Sequence, residues 1–133
     1  LFNHIKRRLS SSAKQAYNWQ EKNSELVALI NENRIDEAIE LGRELVAVVD
    51  RIYRRDAREK ATTYNNMGMV FMLAGDYELA DNCFREALEM RKRIFGKDHN
   101  ETAVVLLNMV QLYKTQAQKI LLANRVETEP QSD

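Results

Sequence analysis

The segment RIFGKDHNETA at residues 93–103 restates RIYRRDAREKA at residues 51–61. Ile52 and Ile94, Asp56 and Asp98, Glu59 and Glu101, and Ala61 and Ala103 are each 42 apart, and Tyr53 and Phe95 keep an aromatic at the same offset. A unit of that size cannot bury its own apolar face, so a fixed period predicts units that stack on one another to complete a shared core. A chain of 133 residues holds two to three of them in one domain.

The units should be helical. Four Gly and one Pro in the whole chain leave few helix breakers among many Leu, Ala, Glu, Lys and Arg. Lys plus Arg and Asp plus Glu both total 20, so no global field favours nucleic acid or an anionic membrane, and neither is expected as a partner. The basic clusters at Lys6–Arg8, Arg51–Arg58 and Arg91–Arg93 alternate with acids, as solvated helix faces do. An acidic partner or nucleic acid is the other reading, but no helix-turn-helix or zinc signature accompanies them. No apolar run approaches the roughly 18 residues of a membrane span, and the N-terminal LFNHIKRRLSS lacks the apolar stretch of a signal peptide. The lone Cys83 leaves no internal disulfide and points to a reducing, cytoplasmic setting. The first residue is Leu rather than Met, which fits either a processed form or a piece cut from a longer chain with an upstream segment missing.

Along the chain, Ser12 and Gln15 form a capping-box signature for a first helix carrying Ala16, Trp19, Leu26, Leu29 and Ile30 inward. Asn33 tolerates the left-handed backbone that ends a helix, and a second helix is predicted from about Asp36 to Tyr53. Asp56-x-x-Glu59 and Asp98-x-x-Glu101 predict helix caps at the joints between units. The stretch between these joints reads as helix, tight turn at Gly75-Asp76, and helix. After Tyr113 no turn signal occurs until Asn124, so one uninterrupted helix is predicted to about Arg125. The expected division is a basic segment over 1–11, a degenerate first repeat over 12–56, a second over 57–98, a half repeat over 99–126 and a polar tail over 127–133, ETEPQSD arguing against much further domain directly after it.

Tyr64, Met67, Gly68, Phe71, Ala80, Phe84 and Ala87 carry the spacing W-x2-L-G-x2-Y…A-x3-F-x2-A, with Tyr and Met at the first two positions. In these residues the chain resembles the tetratricopeptide repeat. The period, with NN, GDY and GKDH, resembles the longer repeat of kinesin light chains, although Lys92 and Asn100 stand where prolines are usual. Repeat one keeps Ala38 and Asn33 opposite Ala80 and Gly75, but has Gly42 opposite Phe84 and Glu25 opposite Met67. Repeat three keeps Ala103, Asn108, Met109 and Tyr113, and then loses the pattern. The resemblance implies an all-α solenoid of antiparallel helix pairs, with an extra N-terminal segment and a long C-terminal helix. Small residues at Gly68, Ala80 and Ala87 should let paired helices approach closely, with Phe71 and Phe84 filling the space beside the contact.

The resemblance further implies a concave face, lined by the first helix of each pair, that holds an extended peptide or a partner helix. Its positions here are Asn23, Ser24, Val27 and Asn31, then Thr62, Asn65, Asn66, Met69 and Leu73, then Val104, Asn108, Gln111 and Thr115. An Asn amide offers a donor and an acceptor together, as a peptide backbone requires, and Asn66 and Asn108 are the first candidates. The alternative is that these amides bond across the helix pair or to water. No Lys or Arg stands among these positions to grip a terminal carboxylate. Met69, Met72 and Leu73 suit apolar side chains, or in the case of Met72 plain core.

Ala117, Ile120, Leu121 and Leu122 on the long last helix form an apolar end that suits self-association. His4, His99 and Cys83 have no metal-ligand spacing; His99 reads as structural and Cys83 as a small buried hydrophobe. No catalytic constellation, metal or cofactor is expected. RRLSS at 7–11 has the form of a kinase site at Ser10, a short pattern that recurs by chance. The function expected is non-catalytic protein recognition. A self-assembling homo-oligomeric scaffold and a regulatory arm of a larger enzyme or transcription regulator are the alternatives.

Overall fold

A computed structural model describes residues 18–128, and their regular structure is helix throughout. Helix α1 covers residues 18–31, α2 Ile35–Ile52, α3 Arg58–Leu73, α4 Tyr77–Phe95 and α5 Asn100–Thr128. The capping box at Ser12 and Gln15, Ala16, His4, Ser10, the Lys6–Arg8 cluster and residues 129–133 lie outside the described residues.

Two turns, one repeat apart, fold the chain into hairpins. At the first, Asn33 takes φ 57°, Arg34 N donates to Leu29 O at 2.9 Å and Asn33 N to Ile30 O at 3.1 Å. At the second, Gly75 takes φ 82°, Asp76 N donates to Phe71 O at 2.9 Å and Gly75 N to Met72 O at 3.1 Å. Both are Schellman stops, in which a left-handed residue returns its own N–H and that of the next residue to the last turn of the helix. The second hairpin then has a true cap, because Asp76 Oδ1 accepts from Leu79 N at 3.2 Å. Arg34 holds the equivalent place before α2 and makes no cap; its guanidinium pairs with Glu32 and Glu37.

The helices form two layers. Within the first, α1 meets α3 through Trp19 Nε1, which donates to Thr63 Oγ1 at 2.9 Å, and α3 meets α5 through Asn65 and Asn108. Behind them α2 packs on α3, and α4 packs on both α3 and α5. One core cluster joins α1, α2 and α3 around Leu26, Leu45 and Met67, and another joins α4 and α5 around Phe84, Val105 and Leu112. Met69 and Phe71 touch both clusters, so no break separates them.

Close approach is set by glycine. A Cβ on Gly68 would lie 2.5 Å from the Phe84 ring, so the ring occupies the space that any larger residue would need. Gly42 does the same for Met67, whose sulfur would be 2.0 Å from such a Cβ. The loss of the Phe at position 42 is therefore compensated, since Met67 of the next repeat fills the gap.

The cap expectation at the joints needs correction. Ala57, not Asp56, is the residue before α3, and no side chain caps that helix. Asp56 lies one residue too early to reach the first N–H groups, and it instead accepts from Arg93 Nη2 at 3.0 Å. Before α5 the acceptor is His99 rather than Asp98: its Nδ1 takes the Glu101 N–H at 3.0 Å, while the ring stacks on Phe95 with centroids 4.7 Å apart. Downstream, α5 runs unbroken through Thr128, beyond the expected end at Arg125.

Candidate functional site

The predicted groove positions fall on the first layer, one row per helix. On α3 they step along Thr62, Asn65/Asn66, Met69 and Leu73, on α1 along Asn23/Ser24, Val27 and Asn31, and on α5 along Val104, Asn108, Gln111 and Thr115. Spacings of three and four keep each set on one face of its helix. Ser24, Val27, Asn31, Leu73, Val104 and Gln111 are exposed; Asn23, Thr62, Met69, Asn108 and Thr115 are half-buried; Asn65 and Asn66 are buried.

Four of the Asn side chains are joined in pairs. Asn66 Nδ2 donates to Asn23 Oδ1 at 2.8 Å, and Asn108 Nδ2 donates to Asn65 Oδ1 at 2.9 Å. The second bond is the first one displaced by 42 residues. These amides bond between successive repeats rather than across one helix pair. Each bond consumes only part of an amide, which carries two donors and an acceptor. Asn66 Oδ1 and Asn65 Nδ2 make no hydrogen bond among the described residues, and because no fully enclosed side-chain polar atom there lacks a partner, each keeps a small contact with solvent although both residues are buried. A donor and an acceptor thus stand side by side at the centre of the first layer, with Val27, Leu73 and Val104 offering apolar surface around them.

Other predicted residues are engaged differently. Thr62 accepts from Arg91 Nη2 at 3.4 Å, and Gln111 donates to Thr115 at 3.2 Å. Met72 and Met69 are half-buried against the core, leaving Leu73 as the exposed member of that trio. Ala117, Ile120, Leu121 and Leu122 are all exposed on the distal half of α5. Cys83 is half-buried against the first cluster, and burial pushes its thiol up to about 11, which suits packing rather than nucleophilic chemistry.

The partners of several structural residues escaped the sequence reading, which had Tyr64 and Tyr113 only as signature positions. Arg91 is buried and ties three helices together, donating through Nη1 to Glu101 O at 2.9 Å and through Nη2 to Thr62, and its burial pulls the guanidinium pKa down. It sat within a basic cluster that reads as solvated surface. Tyr64 donates to the Asp50 carboxylate at 3.0 Å, which links α3 to α2, and burial together with that bond raises its pKa to about 12. Tyr113 donates to Asp81 and accepts from Arg85, joining α5 to α4.

The tetratricopeptide repeat family model matches residues 26–93 and again residues 59–120. The chain belongs to the tetratricopeptide repeat family. Repeats of this family generally mediate protein–protein interaction and are generally non-catalytic, so the implied partners are proteins. No curated protein matches the chain. Among the described residues no helix is long and apolar enough to cross a membrane.

Proposed function

We propose that this tetratricopeptide repeat chain is a non-catalytic binding module that holds an extended peptide or a partner helix against its first layer. The observation that carries the reading is the pair of amide atoms at Asn65 and Asn66 left without a protein partner at the edge of the core, set between exposed Val27, Leu73 and Val104. Neighbouring packed helices lie about 8–10 Å apart, and an extended chain advances about 3.3 Å per residue. Successive Asn stations would then engage peptide groups about three residues apart, leaving intermediate side chains to lie on the apolar rows. All thirteen groove positions are uncharged, which favours an internal segment over a free carboxyl terminus. The 42-residue spacing supports a relation to kinesin-light-chain-type repeats, and the lone Cys83 supports a cytoplasmic setting.

The test is a selection of peptides from a random library on the wild-type chain, followed by titration of the recovered peptides against Val27→Glu/Leu73→Glu. Both residues are exposed, so the variant should keep its helical signal and lose at least tenfold in affinity. Equal affinity for the variant would contradict the assignment of the groove.

A further inference from the structure

Two pockets, each of about 200 Å³, occupy the same place in successive repeats. One is lined by Met67 and Phe71 of α3 and Cys83 of α4; the other, 42 residues earlier, by Glu25 and Leu29 of α1 and Leu41 of α2. They differ in their outer wall. Over the later pocket α2 supplies Arg43 and Val46, and Met67 fills the space beside Gly42. Over the earlier one no described helix stands in that place. The same offset carries Arg43 and Val46 to residues 1 and 4, so the segment that the period assigns to this wall is LFNHIKRRLSS.

The chemistry changes on both sides of the wall. Glu25 and Glu40 stand where the later repeat has Met67 and Asn82, and Glu37 and Glu44 line the pocket beside them. Glu44 pairs with Lys22 and Glu37 with Arg34, but Glu25 and Glu40, both exposed, make no ion pair among the described residues. Leu45 and Val49, buried where α2 covers the later repeat, correspond to Asn3 and Arg7, so a polar cover replaces an apolar one where the pocket has turned acidic. Residues 1–17 hold Lys6, Arg7, Arg8 and Lys14 and no acid, so this basic cluster does not alternate with acids as the other two do. Over residues 18–44 seven acids outnumber three bases, a surplus of four that matches those four cations.

We propose that residues 1–11 lie over the acid-rimmed pocket of the first repeat in the same copy of the chain, Lys6, Arg7 and Arg8 pairing with Glu25 and Glu40, and Ile5 and Leu9 covering Leu29 and Leu41. The reach is ample. Eleven residues from Arg7 to Asn18 span up to about 36 Å when extended, whereas Glu25 lies about 10 Å along α1 from Asn18 at 1.5 Å per residue. Exposed ion pairs are individually weak and screened by salt, so the cover holds α1 against fraying rather than extending the core.

The test is amide hydrogen exchange on the full chain. Lys6→Glu/Arg7→Glu/Arg8→Glu should speed exchange of the α1 amides by about threefold or more at low salt and leave α4 unchanged. Glu25→Lys/Glu40→Lys, at exposed positions that leave the packing of α1 intact, should do the same. The chain carrying all five substitutions should return to the wild-type rate. Salt at about 1 M should reproduce the effect of the reversals in the wild type, and the wild-type rates should not depend on protein concentration. Rates unmoved by either reversal or by salt, a five-substitution chain that exchanges as fast as the reversals alone, or protection that grows with concentration, which would assign the cover to a second copy, would each overturn the proposal.

Discussion

Asn108 donates its side-chain amide to Asn65 at 2.9 Å, and the two residues belong to successive repeats. Asn66, the next residue along, donates to Asn23 of the preceding repeat. The two asparagines of the NN dipeptide therefore face opposite ways: Asn65 serves the following unit and Asn66 the preceding one. Repeat one keeps only the first of them, as Asn23 with Ser24 after it, and repeat three only the second, as Asn108 with Leu107 before it.

A partly buried amide bond of this kind contributes a net of about 0.5–1.5 kcal/mol. Asn65→Ala, Asn108→Ala and the double variant, compared by denaturant unfolding, should show a coupling of about that size. Additive single effects would mean that the bond does not contribute to joining the repeats.

Glycine replacements should rank by what they meet. Gly68→Ala places a methyl group against the rigid Phe84 ring and should cost about 1–3 kcal/mol. Gly42→Ala meets the end of the Met67 side chain, which can rotate away, and should cost less. Ala80→Leu, at a fully buried position, should overpack the same helix pair by a similar about 1–3 kcal/mol. Thermal melts of the three variants check the order.

Much of this framework was legible in the sequence, because the features that set it recur at a fixed offset. Asn33 and Gly75 mark equivalent helix stops, Gly68 and Phe84 complement each other in size, and the absence of a turn after Tyr113 gives the long α5. What escaped were choices among competing partners. Asp56 has the local signature of a cap, but Arg93, 37 residues away, supplies a full charge and two donors. Gly42 reads as a lost aromatic until Met67 is seen to fill the space. The groove positions came from the family resemblance, but the pairing of their amides depends on how adjacent repeats register, which no single helix encodes.

The Arg93 guanidinium holds the Asp56 carboxyl below its ordinary pKa, mainly by hydrogen bonding. A lowered carboxylate pKa stabilises the fold above the ordinary aspartate value, and the contribution is lost as pH falls through the lowered one. Asp56→Asn should therefore lower the melting temperature at neutral pH and have no effect in acid below both values. A difference that persists there would assign the effect to something other than the ion pair.

His99 caps α5 through Nδ1. His99→Ala should cost about 0.5–2 kcal/mol in stability, whereas His99→Asn, whose side-chain oxygen suits the same position, should restore most of it. Urea midpoints of the three proteins distinguish a cap from a mere ring contact with Phe95, because Asn cannot replace the stacking.

Protein recognition by the first layer is tested most directly by following the side-chain amide resonances of Asn65, Asn66 and Asn108 during titration with a selected peptide. The account predicts that these signals shift together with those of Val27, Leu73 and Val104, while the outer faces of α2 and α4 stay unchanged. Shifts confined to α2, α4 or the Leu106–Leu121 face of α5, with the asparagine amides unmoved, would contradict it.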